Sequence, residues 1–336
     1  MRAVIQERYG SPRDLVVREV PRPVPADDEV LVRVRAASVH PDVWHVVTGH
    51  PQVLRLMGSG VRRPSPQIPG TDVAGTVEVV GGAVARFEPG DAVFGETLRG
   101  IQWVNGGAYA EYVCVPEDNL AAKPAALSFE QAAALPTAGL IVLLNLQDRE
   151  HLQPGQQVLV NGAGGGVGSI AVQLAKASGA TVTAVDAAAK LDLLREYGAD
   201  HVIDYGAEDF TTSGRRYDLV FDVPGNHPFG RVRRVLADDG SYVLIGHDGF
   251  GATASQWWGN LPRMLGMMAR APFVRQLPTT GFRTPPKSES MATLVGLAET
   301  GRLTAVIEQT YPLEEAGQAI EHLASGTARG RIVITP

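Results

Sequence analysis

Residues 157–168 read Gln157-Val158-Leu159-Val160-Asn161-Gly162-Ala163-Gly164-Gly165-Gly166-Val167-Gly168, a short β-branched run that enters a glycine turn. The next residues have helical spacing, with apolar side chains at Val167, Ile170, Ala171, Leu174 and Ala175, enough to bury one face against a sheet. Strand, glycine turn and helix in this order form a dinucleotide-binding fingerprint, with Ala163, Gly165 and Gly168 at its three key positions. Gly165 lets a pyrophosphate approach the backbone, Gly168 lets helix and strand pack closely, and the amides of Gly164, Gly166 and Val167 open the helix toward the anion. Asp186 ends the next apolar run, 23 residues past Ala163. That is the spacing of the acid that binds a ribose hydroxyl. An acid there favours NAD over NADP, while Lys190 close by offsets part of its charge, so both remain expected cofactors. Asp186 also suits a helix N-cap, a role compatible with the first.

Further strands are expected at Thr181 to Val185, His201 to Ile203, Leu219 to Phe221 and Tyr242 to Ile245, with helical segments between most of them. Repeated βα units imply an α/β, doubly wound parallel sheet. The texture changes at Ser128-Phe129-Glu130-Gln131, a capping sequence before a helical pattern over Ala132 to Leu146. Upstream lie short strand-like runs cut by Pro and Gly: Ala3 to Ile5, Val30 to Val34, Val73 to Val80, Ala92 to Phe94 and Ala110 to Val115. They read as a small barrel-like domain, with a loop over residues 58–69. At the other end, a helix over Leu313 to Ala324 and a strand over Arg331 to Thr335 are long enough to return to that first domain. The stretch holding Trp257, Trp258, Met264, Met267, Met268, Phe273 and Phe282 suits either a packed helix at a domain or subunit contact or the lining of a pocket.

With 336 residues, the chain exceeds one ordinary core and suits two domains. A formal charge of −6 and the lack of basic runs argue against nucleic acid. A single cysteine, Cys114, excludes an internal disulfide and any multi-cysteine zinc site, and it reads as a buried strand residue. No apolar stretch reaches membrane length and no secretion signal opens the chain, so a cytoplasmic protein without a membrane partner is expected. The sequence has no Gly-Lys dipeptide, no Gly-x-Ser-x-Gly, no His-Glu-x-x-His and no Tyr-x-x-x-Lys, which excludes a P-loop, a nucleophile elbow, a zincin helix and the short-chain reductase relay.

Eight blocks, in order along essentially the whole chain, resemble the medium-chain dehydrogenase/reductase superfamily, and within it the zinc-independent quinone oxidoreductase or ζ-crystallin-like branch. They are Ala36 to Trp44, Pro69 to Val77, Phe87 to Gly95, Gly107 to Val113, Leu135 to Leu140, the Ala163–Gly168 turn, Gly198 to Tyr205, and Tyr311 to Ala316. The resemblance implies a GroES-like β-barrel domain over residues 1–123 and 284–336 and a Rossmann domain over residues 124–283. It also implies hydride transfer in a cleft between them, commonly in a homodimer. Zinc-dependent members carry histidine where this chain has Thr71 and cysteine where it has His40, so no zinc is expected. His40, His45 and His50, five apart, do not align as a helical ligand pair would.

Close relatives usually carry asparagine beside the nicotinamide at the position of His40. His40 is thus the one expected catalytic residue, giving a hydrogen bond or a proton to a substrate oxygen and titrating near neutral pH; the alternative is an imidazole that fills the site and bonds backbone. The resemblance also assigns Thr137 to the cofactor phosphates or nicotinamide and Tyr205 to the adenosine pocket, with core packing as the alternative for Tyr205. Gly225 and Gly246 fall at strand ends where ligands of such sheets sit. The expected reaction is hydride delivery from NAD(P)H to a quinone or an α,β-unsaturated carbonyl. Zinc-independent alcohol dehydrogenation, or nucleotide binding without catalysis, are the other readings.

Overall fold

In the computed structural model, which describes residues 1–100, 104–146, 152–246, 257–259, 261–277 and 286–336, the chain divides into two compact units. The first comprises Met1–Leu140, Phe250–Trp257 and Pro285–Pro336, and the second Ile141–Gly249 and Trp258–Thr284. Residues 124–140 group with the first unit, because the short helix they contain packs on that unit's central strands. The expected boundary at 283/284 and Phe282 lie outside the described residues.

The first unit opens with β1 (Arg2–Ile5) antiparallel to β2 (Val16–Glu19). Then come β3 (Glu29–Val39), α1 (Pro41–Thr48), β4 (Asp72–Val80), β5 (Ala92–Glu96), β6 (Tyr112–Pro116), β7 (Leu120–Ala122), α2 (Phe129–Ala133) and α3 (Pro136–Leu146), which spans the division between units. The eleven-residue β3 is the hub: β4 and β6 pair along it, and its last residues pair with a strand from the C-terminal segment. Val32, Val34, Val73, Val93, Val113 and Ile332 are among the buried side chains of this core, each stabilising the unit by about 1.5–3 kcal/mol. The sequence pattern predicts one helix over 132–146; Ser128 does form a capping box with Gln131, but the helix breaks before Pro136, which disfavours helical backbone at the preceding residue.

The second unit is built from β8 (Gln157–Asn161), α4 (Gly166–Ala177), β9 (Thr181–Asp186), α5 (Leu191–Glu196), β10 (His201–Asp204), β11 (Tyr217–Asp222), α6 (Phe229–Val232), β12 (Leu236–Leu244) and α7 (Leu261–Arg270). All pairings are parallel in the order β10-β9-β8-β11-β12. Strand order reverses between β8 and β11, the place where a doubly wound sheet opens a crevice at its carboxyl edge. α7 contains no buried residue, and Trp258, Met264, Leu265, Met268 and Phe273 are exposed; among the described residues of the expected apolar stretch, Met267 alone packs partly on the core.

The chain finishes in the first unit with α8 (Lys287–Glu299), β13 (Ile307–Pro312), α9 (Ala316–Ala324) and β14 (Arg331–Thr335). β14 pairs antiparallel with β3 through Ile332, Val333 and Ile334, so the tail returns as expected. The unforeseen strands β2, β7 and β13 are short or mostly exposed and carry no alternating apolar signal.

Candidate active site

In the second unit the glycine turn is shaped by close approach. A Cβ on Gly168 would lie 2.1 Å from the Gly162 carbonyl oxygen and 2.7 Å from Ala163 Cα, so helix and turn meet at a distance only glycine permits. On Gly165 a Cβ would meet nothing nearer than 3.4 Å, which marks the open side. Gly165 is the N-cap of α4 and supplies no side-chain cap. The first-turn amides of Gly166, Val167 and Gly168 are therefore offered to an anion, with the helix dipole behind them. This cradle fits a dinucleotide pyrophosphate.

Asp186, at the end of β9, accepts from the Gly164 amide at 2.7 Å and from the Ala187 amide at 2.8 Å. It caps no helix: the following 3₁₀ turn has Ala187 at its N-cap. Lys190 Nζ stands 3.7 Å from Asp186 Oδ1, so the acid that would repel a 2′-phosphate has a cation beside it. Tyr205 is 62% exposed, which overturns core packing, and its amide donates to the Asp186 carbonyl. Gly225 and Gly246 follow β11 and β12 in left-handed conformations, φ 68° and 88°. Asp222, unforeseen from sequence, ties this edge: it accepts from Asn161 Nδ2 at 2.8 Å, the Gly225 amide at 3.0 Å and the Tyr242 hydroxyl at 2.8 Å.

The first unit gathers a second set of groups. His40 is the N-cap of α1 but caps no amide; its Nε2 lies 2.6 Å from Thr71 Oγ1. Pro41 at the first helical position and Gly49 in a left-handed C-cap hold α1 in place. Thr71 is fixed from behind, since its carbonyl accepts from the Thr97 amide and the preceding Gly70, φ 86°, packs where a Cβ would strike the Tyr109 ring. Asp72 is fully buried and accepts from Ser38 Oγ at 2.7 Å, the Thr137 amide at 3.0 Å and Thr137 Oγ1 at 2.5 Å. Thr137, expected at the cofactor, thus commits both its polar donors to Asp72. Glu96, also buried, pairs with Lys287 Nζ at 2.9 Å.

Burial governs the charges here. His40 is pushed down to about 3 by desolvation and then by the Arg331 charge, so the ring is neutral at physiological pH. That corrects the expectation of titration near neutrality, and the hydroxyl partner displaces the backbone-bonded alternative. Asp42 is driven up to about 7 by desolvation, then by Glu96 and Asp72. Asp72 is raised by burial against the opposing hydrogen bonds from Thr137 and Ser38; Glu96 is raised likewise against Lys287. Cys114 on β6 is half-buried rather than buried, its thiol pushed up to about 11 by desolvation and then Glu29.

Residues 26–125 match the family model for the alcohol dehydrogenase GroES-like domain and residues 197–334 that for zinc-binding dehydrogenase. A chloroplastic quinone-oxidoreductase homolog of Spinacia oleracea is 32% identical over 100% of this chain and 98% of its own. The chain belongs to the medium-chain dehydrogenase/reductase superfamily. Another member, the NADPH-dependent alkenal/one oxidoreductase of Arabidopsis thaliana chloroplasts, is 30% identical over 100% of this chain and 80% of its own. The crystal structure of Escherichia coli quinone oxidoreductase complexed with NADPH superposes with a TM-score of 0.80 at 27% identity, each chain covered fully.

This medium-chain dehydrogenase/reductase is an oxidoreductase with a GroES-like unit and a Rossmann unit. Its donor set does not fit the catalytic zinc that one matching family model implies. Thr71 and His40 are bonded to each other, His45 Nδ1 is engaged by the His50 carbonyl at 2.7 Å, and among the described residues no group of three or more His, Cys, Asp or Glu converges on a metal position. No described helix is long and apolar enough to cross a membrane. Sequence reading missed Asp42, Glu96, Lys287 and Arg331; the one available signal was a charged residue inside an apolar run, as in Pro41-Asp42-Val43-Trp44 and Arg331-Ile332-Val333-Ile334.

Proposed function

We propose that the chain reduces quinones or α,β-unsaturated carbonyls with NAD(P)H and without zinc. The observation that carries this reading is the 2.6 Å bond between His40 and Thr71. Residues 40 and 71 correspond to positions that hold metal ligands in zinc-dependent members. A hydroxyl and a neutral imidazole at those positions offer hydrogen-bond donors where a Lewis acid would be, and donors suffice for an acceptor that conjugation already makes electrophilic. The bound dihydronicotinamide supplies the hydride. The amides opening α4 hold its pyrophosphate, Asp186 and Lys190 meet the adenosine ribose, and Tyr205, Gly225 and Gly246 line the nucleotide path. Thr137 serves by fixing Asp72. Thr71, backed by the His40 imidazole, holds the acceptor oxygen and stabilises the charge that arrives there.

Asp186 favours NADH modestly, with NADPH accepted because Lys190 balances the charge. Family likeness supports a homodimer, and the lone half-buried thiol suits the reducing cytoplasm. The test is steady-state turnover of NADH and NADPH by purified protein with benzoquinone, methyl vinyl ketone and hexanal. Turnover of the first two and not of hexanal is expected, with well under one zinc per chain by metal analysis. Turnover confined to hexanal would replace this reading by alcohol dehydrogenation, and nucleotide binding with no turnover would leave a binding protein.

A further inference from the structure

His40 Nδ1 is buried and has no hydrogen-bond partner among the described residues. A buried polar atom left in this way is costly, and Asp42 Oδ2 stands 3.7 Å from it, with both side chains almost fully buried. The other ring nitrogen is on Thr71 Oγ1. The imidazole therefore has a hydroxyl at one nitrogen and a carboxyl near the other, with His40 and Asp42 held by the same helix start, flanking Pro41. A separation of 3.7 Å is longer than a hydrogen bond by about 1 Å, so a proton passes only when the two side chains approach.

We propose that Asp42 stores the proton that completes the reduction and passes it through the His40 imidazole to the Thr71 hydroxyl. The inference rests on the quinone and enone reading above and assigns its proton source. In the resting state Asp42 is a neutral acid and His40 carries its proton on Nε2, donating to Thr71. An enone gains a hydride at its β-carbon, the carbon–hydrogen bond of the dihydronicotinamide breaking as the new one forms, and the electron pair moves to the carbonyl oxygen. That oxygen takes the Thr71 proton, Thr71 takes the Nε2 proton, and Nδ1 takes the proton of Asp42. The nucleotide is oxidised, the enone is reduced to its enol, and Asp42 is left as a carboxylate that regains a proton from water as the ring tautomer resets.

The surroundings hold Asp42 in the protonated form near neutrality. Glu96 on β5 and Asp72 on β4 face it with like charge, adding to its desolvation. Lys287 is engaged with Glu96, and Arg331 on β14 acts on His40 and Asp72. Asp42 is pushed up to about 7, suited to giving a proton at the pH of the reaction.

The experiment compares wild type, Asp42→Asn and Asp42→Glu with NADPH, using methyl vinyl ketone and benzoquinone as acceptors, over a pH range spanning neutrality and in deuterated water. Wild-type kcat with methyl vinyl ketone should fall above a pH of about 7 and show a solvent isotope effect. Asp42→Asn should lower it about 100-fold, erase the pH limb and the isotope effect, reduce benzoquinone turnover far less, and leave NADPH affinity unchanged by fluorescence titration; Asp42→Glu should keep the limb. A limb and isotope effect that survive in Asp42→Asn, or equal losses with both acceptors, would overturn the assignment. Infrared difference spectra of the wild type supply a readout without turnover. A protonated carboxyl band lost near that pH and missing from Asp42→Asn supports the store, and its absence refutes it even if neither acceptor is turned over, a result that would instead defeat the quinone and enone reading.

Discussion

The two candidate regions are built by opposite means. In the second unit the candidate groups are the first-turn amides of consecutive residues, Gly166 to Gly168, in a turn shaped by a Gly168–Gly162 contact no side chain would permit. In the first unit they are side chains drawn from distant places: His40 and Asp42 at the start of α1, Thr71 and Asp72 at the start of β4, Glu96 on β5, Lys287 on α8 and Arg331 on β14. A backbone device fails by steric intrusion, whereas a buried charge cluster fails by unbalanced protonation. The two should therefore respond differently to the same perturbation.

The largest effect is expected at Gly168. Gly168→Ala places a methyl group 2.1 Å from a backbone oxygen that cannot turn aside, and overpacking of this kind costs about 3 kcal/mol. Urea unfolding should register that loss, and thermal unfolding should no longer rise with added NADPH. Gly296→Ala on α8 makes the same chemical change where nothing lies within 4 Å of the new Cβ, and should leave stability equal or higher by about 0.5–1 kcal/mol. A Gly168→Ala protein that binds nucleotide like the wild type would break the contrast, because the cradle would then not depend on close backbone approach.

Next comes the pH response of the first unit. Asp42 has an ordinary value of 3.8 and sits at about 7 in the fold. Between those limits the native state binds more protons than the unfolded chain, so stability falls as pH rises through the window. At ~1.4 kcal/mol per unit, the loss is at most about 4 kcal/mol. Asp72 and Glu96, also raised, act in the same direction. The exposed acids Asp28 and Asp200 and the half-buried Glu111 and Asp209 are lowered, so they stabilise above the ordinary carboxylate range and lose that effect only on acidification. His40, pushed down to about 3 from its ordinary 6.5, acts in the opposite direction, so the readout is a difference: the stability of the wild type relative to Asp42→Asn should fall as pH rises from about 4 to about 8 in denaturant melts. An unchanged slope in that variant would mean Asp42 ionises as it does in water.

The same difference decides what was legible in the sequence. The parallel sheet and its glycine turn were readable because their signals are local: β-branched runs, glycines at fixed offsets and an acid at the end of β9. The return of β14 to β3 was readable from its apolar run, Ile332 to Ile334. Strands β2, β7 and β13 were not, since exposed or three-residue strands leave no alternation. In the site, His40 was visible only as a departure from a motif. Its neighbour Asp42 entered only as part of a motif, and the burial and the like charges of Asp72 and Glu96 that change its chemistry come from residues distant in sequence. For Tyr205, assigned to the adenosine pocket with core packing as the alternative, the exposed position removes only that alternative.

The smallest expected effect lies where the two kinds of device meet. Lys190 adds a side-chain charge to the backbone cradle, standing 3.7 Å from Asp186 while Asp186 itself holds the Gly164 amide. Removing the ammonium leaves the turn intact and exposes the carboxylate charge to any phosphate on the ribose. Lys190→Ala should therefore weaken NADPH binding about tenfold, ~1.4 kcal/mol, and change NADH binding little, as read by calorimetric titration of each nucleotide. Asp186→Ser should move the ratio the other way, but with some loss for both nucleotides, because the Gly164 amide would lose its acceptor. Equal weakening of NADH and NADPH in Lys190→Ala would mean the lysine braces Asp186 and the turn rather than sensing the phosphate, and selectivity would then belong to the backbone device alone.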